Sequence, residues 1–439
     1  MQKITIIMPC LNVVSYFKEC IDSVVNQTIF SELEVMVIDA GSTDGTLEIA
    51  AFYAGKYENI RLIISERKSY GYQVNLGILQ AKTPYIAILE TDDYVHREMY
   101  EILYREIEDN QVDYVKADYE MFYVCRNGKR IIWDMKISKD SSIYNETIDV
   151  TNNAFFYVQD FNVWKGIYRR DFLIDNKIFF NESKGAAYQD IGFGQKLHSC
   201  AKRALYISDL LYCYRVGREN ASVNSGRGVV YSYEEFKQLL DTWDKQKLCL
   251  RGTYEAMISS FLGEFRLLST FSDFSDEIIT ESISWFGMYI ENALKNGILT
   301  EEAITTDLGI GVLEYFRRIQ RNPKQEIETL IHDKNDQLHK FSELRFLKNP
   351  IYIFGAGYYG KNALRLLDSL NVKIESFLDN GSYENQTIAG YKVICPKDTF
   401  IDKNAKVIIA NKNYKRNIKE QLLDMGLSEE NLIEYKLFL

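Results

Sequence analysis

Strand-like and helix-like segments alternate regularly over the first 90 residues of the chain. The apolar runs are ITIIM, LEVMVID, IRLIIS and YIAILE, and the helical periodicity between them falls near 16–26, from about 46 onward, and near 73–81. Alternation at this spacing is typical of a parallel sheet covered by helices on both faces. The fold class that follows is α/β.

A polar cluster stands at the end of each predicted strand. The four clusters are PCLN, DAGSTDGT, ERKSYGYQ and ETDD. Ligands of open α/β sheets bind outside the carboxyl ends of the strands. We therefore expect these clusters to converge on one crevice.

The pattern changes twice further along the chain. After the first α/β region, the segment DYVKADYEMFYVCRNGKRIIWDM predicts two strands with a turn at Asn127-Gly128 and hence a mixed sheet. Long helical stretches then occupy roughly 231–347, and a second, short α/β segment follows. The expected domains are 1–225, a helical linker or assembly region at 226–346, and a small α/β domain at 347–439.

Composition excludes several classes of protein. The 439 residues, 46% of them hydrophobic and only 5 of them proline, describe two or three folded domains without long linkers. A net charge of -10 argues against a nucleic-acid partner, because binding phosphates needs clustered Lys and Arg. The seven dispersed cysteines contain no C-x-x-C pair, which favours a reducing cytoplasm over a disulfide framework or a zinc site.

No membrane anchor is expected. The N-terminal apolar run is too short for a signal peptide, and no run approaches 18 apolar residues. The 31 tyrosines and 24 phenylalanines are compatible with peripheral contact at the inner face of a membrane, although aromatic residues are more often part of a core. The helical region also suits a homo-oligomer interface.

Three acids crowd the end of the fourth strand: Glu90, Asp92 and Asp93. A helix N-cap explains one such acid but not three. Like charges at one point are costly unless a cation is present. A hard divalent cation, Mg2+ or Mn2+, takes carboxylate oxygens and shares its other positions with phosphates, so the cluster indicates a nucleotide-diphosphate site.

A fourth acid, Asp39, ends the second strand ahead of a Gly/Ser/Thr turn. Capping of the next helix explains Thr43 and Asp44 but leaves Asp39 unexplained, because an acid does not belong in a sheet interior. The hydroxyls of a ribose or the imide of a base would suit it.

Four ordered blocks of this sequence are similar to those of family-2 glycosyltransferases with the GT-A fold. They are ITIIMPCLNVVSYFKECIDSVVNQT, VMVIDAGSTDGT, GYQVNLGILQAKTPYIAILETDD and VWKGIYRRDFLIDNKIFF with YQDIGF, and they span about the first 225 residues. The resemblance implies metal-dependent transfer of a sugar, with inversion, from a nucleotide-diphosphate donor to an acceptor hydroxyl.

The resemblance also implies roles for individual residues. Pro9, Asn12 and Asp39 would hold the nucleoside. Asp92 would lie near the ribose and the metal, with Asp93 as the direct metal ligand, and Asp190 would be the general base that removes the acceptor proton. On its residues alone, without the four blocks, Asp190 is better explained as the N-cap of the helix IGFGQKLHSCA.

Three positions depart from the usual pattern of that family. Ala40 stands where a second acid is common, which puts uridine as the nucleoside in question, while Glu90 and Gln189 replace an Asp and a Glu. The segment YCYRVGRENASV corresponds to a mobile strand and loop, so that Arg215 or Arg218 would meet the diphosphate. Solvated surface charges are the alternative for both arginines.

The C-terminal segment contains G-x-G-x-x-G between a strand and a helix, with Gly355, Gly357, Gly360 and, one strand later, Asp379. This pattern suits a phosphate at the helix N-terminus and a ribose on the acid. The segment resembles small Rossmann-like domains of sugar acyltransferases. It either binds a nucleotide or keeps its glycines for packing.

The leading prediction is an inverting glycosyltransferase that uses a UDP-sugar and Mn2+ or Mg2+ to glycosylate a saccharide or lipid-linked saccharide of a bacterial surface polysaccharide or glycolipid. The alternatives are a non-catalytic nucleotide-sugar scaffold and an NAD-dependent sugar-modifying enzyme centred on the C-terminal glycines. A nucleotidyltransferase is disfavoured, because PCLNVVSYF lacks a Gly- and Lys-rich triphosphate loop.

Overall fold

The structure, a computed structural model, describes residues 2–218, 226–268, 277–381 and 386–436. The predicted loop at 212–223 therefore lies outside the described residues from position 219 onward. The chain divides into two compact units: unit 1 is Met1–Glu120 with Asp134–Glu326, and unit 2 is Met121–Trp133 with Ile327–Leu439.

The strands that precede the helical region are β1 (Ile4–Cys10), β2 (Leu33–Asp39), β3 (Ile60–Ile64), β4 (Tyr85–Ile88), β5 (Tyr94–Val95), β6 (Tyr114–Val124), β7 (Arg130–Met135), β8 (Thr147–Ile148), β9 (Gly166–Arg169) and β10 (Ala204–Arg215). The helices among them are α1 (Val14–Val25), α2 (Thr46–Lys56), α3 (Tyr70–Gln80), α4 (Met99–Asn110), α5 (Ala154–Gln159), α6 (Arg170–Asp175) and α7 (Gln189–Cys200).

The helical region consists of α8 (Gly228–Thr242), α9 (Leu250–Leu268), α10 (Glu277–Lys295), α11 (Glu301–Leu308), α12 (Val312–Arg321) and α13 (Pro323–Glu343). Helix α9 packs against α5 and α8, and α8 packs against α7. These contacts join the helical region to the sheet part of unit 1.

The large sheet has the strand order β3-β2-β1-β4-β9-β6-β10-β5. Its first four strands are parallel, with Ile6 paired to Val35 of β2 and to Ala87 of β4. Strand β9 then runs antiparallel to both β4 and β6, so the predicted mixed sheet is confirmed. Because β1 is followed by β2 on one side and β4 lies on its other side, the crevice between the ends of β1 and β4 is a topological switch point.

The burial of the central strands explains why their positions could be predicted from the sequence. Every residue of β1, β2 and β4 is buried. Strands covered on both faces appear as continuous apolar runs rather than as alternating ones. The predicted hairpin is also present as β6 and β7, with Gly128 in the left-handed region at φ 76°.

Unit 2 contains its own sheet. Its elements are β11 (Ile351–Phe354), α14 (Tyr358–Ser369), β12 (Ser376–Leu378), β13 (Thr387–Ile388), β14 (Tyr391–Ile394), β15 (Lys406–Ile409), α15 (Lys415–Asp424) and β16 (Leu432–Glu434). The strand order is β13-β14-β12-β11-β15-β16, and all neighbours except β13 and β14 are parallel. Within this unit Asp368 accepts hydrogen bonds from the Arg126 N–H and the Tyr123 hydroxyl.

Across the described ranges, we find no helix that combines the length and the apolar character needed to cross a membrane.

Candidate active site

A cavity of about 350 Å3 opens beyond the carboxyl ends of β1 and β4. We call it the first cavity. Three segments form most of its wall: the end of β1, the acidic turn after β4, and the loop that precedes α7. Its lining includes Pro9, Cys10, Lys68, Tyr70, Glu90, Thr91, Asp92, Trp164, Tyr188, Gln189, Asp190, Tyr214 and Arg218. Three of the four polar clusters predicted to converge, PCLN, ERKSYGYQ and ETDD, contribute to this lining, whereas no residue of DAGSTDGT does.

Two of the three clustered acids line the first cavity. The Tyr70 hydroxyl donates to Glu90 Oε1 over 2.5 Å, and burial, together with the charge of Asp92, raises the pKa of Glu90 to about 8. Asp92 forms an ion pair with Arg218. The Thr91 hydroxyl donates to the Pro9 carbonyl over 2.9 Å and so ties the acidic turn to β1.

The third acid, Asp93, is buried and does not line the cavity. Its Oδ2 accepts from the Tyr212 hydroxyl over 2.8 Å, and its Oδ1 accepts from the Arg215 N–H over 2.7 Å. Burial raises the pKa of Asp93 well above its usual range. Asp93 thus ties the acidic turn to β10, and a metal would have to compete with both donors for its oxygens.

Asp39 and Asn12 hold the loop between β2 and α2. Oδ1 of Asp39 accepts from the N–H groups of Gly41 and Ser42 over 2.8 and 2.9 Å, and the side chain is fully buried. Oδ1 of Asn12 accepts from the Thr43 N–H over 2.8 Å. Neither residue is among the side chains that line the first cavity, so their predicted contact with a nucleoside stays a prediction.

The two candidate arginines have different surroundings. Arg215, which we predicted to meet the donor, is bound to the Asp92 carbonyl over 2.9 Å and forms an ion pair with Glu19. Arg218, three residues later, lines the cavity and pairs with Asp92. Of the two, Arg218 is the arginine whose side chain faces the cavity.

Asp190, in the first turn of helix α7, lines the first cavity. Tyr188, two residues earlier, has left-handed backbone angles (φ 67°), a rare conformation for a non-glycine residue that turns the chain into the helix. Burial raises the pKa of Asp190 to about 6. A hydrogen bond of 3.1 Å, which Asp190 Oδ1 accepts from the Ile191 N–H, acts in the opposite direction. A carboxyl group with this pKa is a base near neutral pH.

A second cavity, of about 450 Å3, adjoins the first. The two share Trp164, Tyr188, Asp190 and Tyr214 in their walls. Helices α8 and α9 supply much of the remaining lining: Phe236, Ala256, Ser259, Ser260, Gly263 and Glu264. From the sequence we assigned no chemistry to the helical region and interpreted it as a spacer or assembly surface. In the structure it forms one wall of this cavity.

A buried charge cluster lies behind Asp190. Asp160 Oδ2 accepts from Lys116 over 2.8 Å and from the Tyr206 hydroxyl over 2.7 Å, and Lys165 lies 3.1 Å from Oδ1. Burial disfavours the ionised form of Asp160, but the positive charges of Lys116 and Lys165 outweigh this effect. The pKa of Asp160 therefore lies well below its usual range. His198 completes the cluster, with its Nε2 3.2 Å from Asp160 Oδ2.

Within the part of the chain that the structure describes, two sets of side chains have the chemistry of a metal site. Glu90 and Asp92 offer hard carboxylate oxygens to the first cavity, which fits Mg2+ or Mn2+. His96, Glu120 and Cys213 lie within 4.8 Å of one another and offer nitrogen, oxygen and sulfur, a softer set of donors. Only the first set faces the cavity at the strand ends.

The C-terminal glycines have different local requirements. A side chain at Gly360 would lie 1.8 Å from the Gly355 carbonyl oxygen, and Gly355 itself has φ 113°. An added Cβ at Gly357 would have no described neighbour within 4 Å. Asp379 binds this loop directly, since its Oδ2 accepts from the Ala356 N–H over 2.7 Å. Packing thus accounts for two of the three glycines, and a nucleotide in this loop stays a prediction.

Solved structures identify the architecture. A crystal structure of S. aureus TarS 1-349 in complex with UDP-GlcNAc aligns with a TM-score of 0.55 at 20% sequence identity, over 76% of this chain and 92% of that one. The likeness concerns the fold. The predicted GT-A fold, with a helical middle region and a small C-terminal sheet domain, is confirmed.

Two family models match separate parts of the chain. The model described as Glycosyl transferase family 2 matches residues 5–188, and the one described as C2185-like, N-terminal matches residues 347–433. The chain therefore carries a glycosyl transferase family 2 domain, as its four sequence blocks predicted.

Two curated relatives illustrate how much of the chain is shared. "Uncharacterized glycosyltransferase YibD" of Escherichia coli (strain K12) is 30% identical over 226 residues, which are 51% of this chain and 63% of that protein. "Poly(ribitol-phosphate) beta-N-acetylglucosaminyltransferase TarS" of Staphylococcus aureus (strain MW2) is 27% identical over 246 residues, 55% of this chain and 39% of that protein. The chain thus spans less than two thirds of the length of either relative.

Proposed function

We propose that this chain transfers a sugar from a nucleotide-diphosphate donor to an acceptor hydroxyl, with inversion at the anomeric carbon. The observation that carries the proposal is the position of Asp190 in the common wall of two cavities. In this proposal the donor occupies the first cavity and the acceptor the second. A base at their junction can take the proton of the acceptor hydroxyl at the point where the acceptor meets the donor.

The first cavity suits a nucleoside diphosphate. Arg218 and Lys68 are cations in its wall, and charge-assisted hydrogen bonds to phosphate are strong in such settings. Pro9, Asn12 and Asp39 are proposed to hold the nucleoside, Pro9 from the wall and the other two through the loop they stabilise. Uridine is the proposed base, which the UDP-GlcNAc complex of TarS supports by analogy.

Mg2+ or Mn2+ is the proposed cofactor, with Asp92 as its principal ligand and Glu90 beside it. When bound, such an ion would neutralise charge on the departing diphosphate. Arg218 forms an ion pair with Asp92. When the donor binds and the Asp92 carboxylate ligates the metal, the Arg218 guanidinium is proposed to turn toward the phosphates. Asp93 is proposed to support the site by holding Tyr212 and β10.

Asp190 is proposed to take the proton of the acceptor hydroxyl as its oxygen attacks the anomeric carbon. The pKa of about 6 leaves the carboxylate mostly ionised at neutral pH while keeping it basic enough to accept a proton. Lys116 stabilises the ionised form through its charge. The product is a glycoside on a bacterial surface polysaccharide or glycolipid, a role that the poly(ribitol-phosphate) transferase activity in the name of TarS supports.

Substitution of Asp190 tests the proposal. Asp190→Asn should abolish UDP release that depends on an acceptor, while calorimetry with UDP and Mn2+ shows an unchanged affinity. Asp171→Asn is the matched control, because Asp171 is also an acid in the first turn of a helix but lies on the surface. Full activity in Asp190→Asn would contradict the proposal, and binding of nucleotide sugar without turnover by the wild type would favour a non-catalytic scaffold.

A further inference from the structure

The two cavities that meet at Asp190 differ in charge. The first cavity has Lys68 and Arg218 in its wall. Among the described residues that line the second cavity there is no lysine or arginine. The residues that the structure does not describe contain no lysine or arginine; they are 1, 219–225, 269–276, 382–385 and 437–439. Every lysine and arginine of the chain therefore lies in the described ranges. The second cavity is therefore a poor site for a phosphate.

Two carboxyl groups reinforce this preference. Besides Asp190, the second cavity is lined by Glu264, whose Oε2 accepts from the Tyr188 hydroxyl over 2.6 Å. Burial, with the nearby charge of Asp190, raises the pKa of Glu264 to about 7. At neutral pH Asp190 is mostly ionised and Glu264 is partly ionised, and their negative charges would repel an anionic ligand.

A cluster of aromatic rings forms part of the wall of the second cavity. The buried Trp164 stacks on Tyr212 and on Tyr214, with centroids 4.2 and 5.2 Å away, and Tyr119 packs edge-on against Trp164 at 4.8 Å. Of these rings, Tyr119, Trp164 and Tyr214 line the cavity. Aromatic walls with a few oriented polar groups are typical of sites for small polar ligands with an apolar face, such as a sugar ring.

One buried polar atom in the wall lacks a partner in the described structure. Gln195 is 2% exposed, and its Nε2 donates to the Tyr157 carbonyl over 2.9 Å. Its Oε1 has no donor among the described residues, and Gln195 is one of the residues that line the cavity. Buried carbonyl oxygens nearly always accept a hydrogen bond, and a ligand hydroxyl would supply the missing donor.

Helix α9 leaves room for such a ligand. Ala256, Ser259, Ser260 and Gly263 are small residues spaced so that they share one face of the helix, and all line the cavity. Glycine is unfavourable inside a helix. Packing does not require it here, because a Cβ added at Gly263 would have no described atom within 4 Å. The open space beside Gly263 belongs to the cavity.

On the basis of the proposed function, we infer that the acceptor is an uncharged sugar that packs against the aromatic wall of Tyr119, Trp164 and Tyr214, and that α9 shapes its site at Gly263. A hydroxyl of this sugar donates to Gln195. The reacting hydroxyl gives its proton to Asp190 as its oxygen bonds to the anomeric carbon. The bond from that carbon to the diphosphate oxygen breaks, and its electron pair leaves with the nucleoside diphosphate.

The test compares Gly263→Leu with Gly55→Leu in the full chain. Gly55 is a matched control, since it is also an exposed helical glycine whose added Cβ meets nothing within 4 Å. The acceptor probes are neutral methyl glycosides, the same glycosides carrying a phosphate, and neutral octyl glycosides, each measured with a panel of UDP-sugars. Methyl and octyl glycosides distinguish a free saccharide from a glycolipid as the source of the sugar.

We expect neutral glycosides to react with a kcat/KM at least tenfold above that of their phosphorylated counterparts. Gly263→Leu should raise the acceptor KM at least tenfold, with UDP affinity and hydrolysis of the donor by water unchanged, and Gly55→Leu should match the wild type. Equal or better use of phosphorylated sugars, an unchanged acceptor KM in Gly263→Leu, or neutral glycosides that neither react nor inhibit donor hydrolysis would overturn the inference. Failure of the wild type to bind UDP or to turn over any donor would instead overturn the proposed function.

Discussion

Replacing Asp190 by asparagine should stabilise unit 1 at neutral pH while it removes activity. Burial raises the pKa of Asp190 from 3.8 to about 6, so the folded chain holds this proton more tightly than the unfolded chain does. A shift of about two pKa units corresponds to about 3 kcal/mol. Asparagine has the same shape and carries no charge, so it avoids the free-energy cost of ionising a buried carboxyl group.

The pH dependence of this effect has a definite sign. Below about pH 3.8 the carboxyl group is protonated in both states and contributes no difference. Between about pH 4 and pH 6 the unfolded chain loses the proton first, so the wild type loses about 1.4 kcal/mol of stability per pH unit. Above about pH 6 both states are ionised and the loss stays at about 3 kcal/mol.

Urea unfolding at two pH values measures the effect. Three of the four tryptophans, Trp164, Trp243 and Trp285, lie in unit 1 and report on its unfolding. Between about pH 4.5 and pH 8, the stability gap between Asp190→Asn and the wild type should widen by about 2 kcal/mol, whereas Asp171→Asn should show no such widening. A gap that is the same at both pH values would refute the reasoning, because it would mean that Asp190 is not desolvated.

Three further predictions follow from the contacts described above. Arg218→Ala should weaken UDP binding about tenfold in calorimetry and leave uridine binding unchanged, since only the diphosphate needs the charge; equal losses for both ligands would contradict this. Asp160→Asn should cost unit 1 about 3–5 kcal/mol in urea unfolding, because Lys116 and Lys165 lose their buried counter-charge, and a change below about 1 kcal/mol would show that the lysines are neutral. Gly360→Ala should destabilise unit 2 by more than about 1 kcal/mol through the clash with the Gly355 carbonyl, whereas the adjacent control Gly357→Ala should be tolerated; equal effects would show that the loop adapts.

The sheet could be predicted from the sequence because β1, β2 and β4 are buried on both faces and appear as unbroken apolar runs. The same reasoning located the ends of the strands, where the candidate site lies. Parallel strands bring their carboxyl ends to one edge, so residues such as Pro9, Glu90 and Asp92 could be grouped without knowledge of their contacts.

The directions of individual side chains in that region could not be predicted. Asp92 and Asp93 are neighbours in one turn, and only the contacts of Asp93 with Tyr212 and β10 direct it away from the cavity. Arg215 and Arg218 pose the same problem, because pairing with Glu19 or with Asp92 depends on tertiary packing. Patterns along a chain give the position of a charge but not its partner.

The second cavity was missed because its wall comes from distant parts of the chain. Gly263 and Glu264 are more than 70 residues from Asp190, and they reach it only because α9 packs on α5 and α8. The small residues of α9 were the available signal. Taken alone, they are as typical of close helix packing as of a ligand site.

The pH dependence of kcat/KM tests the central claim most directly, namely that the carboxylate of Asp190 removes the acceptor proton. The rate should rise with one ionisation, reach half its plateau near pH 6 and fall to about one tenth of the plateau at pH 5. Affinity for the intact UDP-sugar, whose diphosphate does not titrate between about pH 5 and pH 7, should stay constant over the acidic limb. A rate that is flat between about pH 5 and pH 7, or an acidic limb that persists in the residual activity of Asp190→Asn, would contradict the claim.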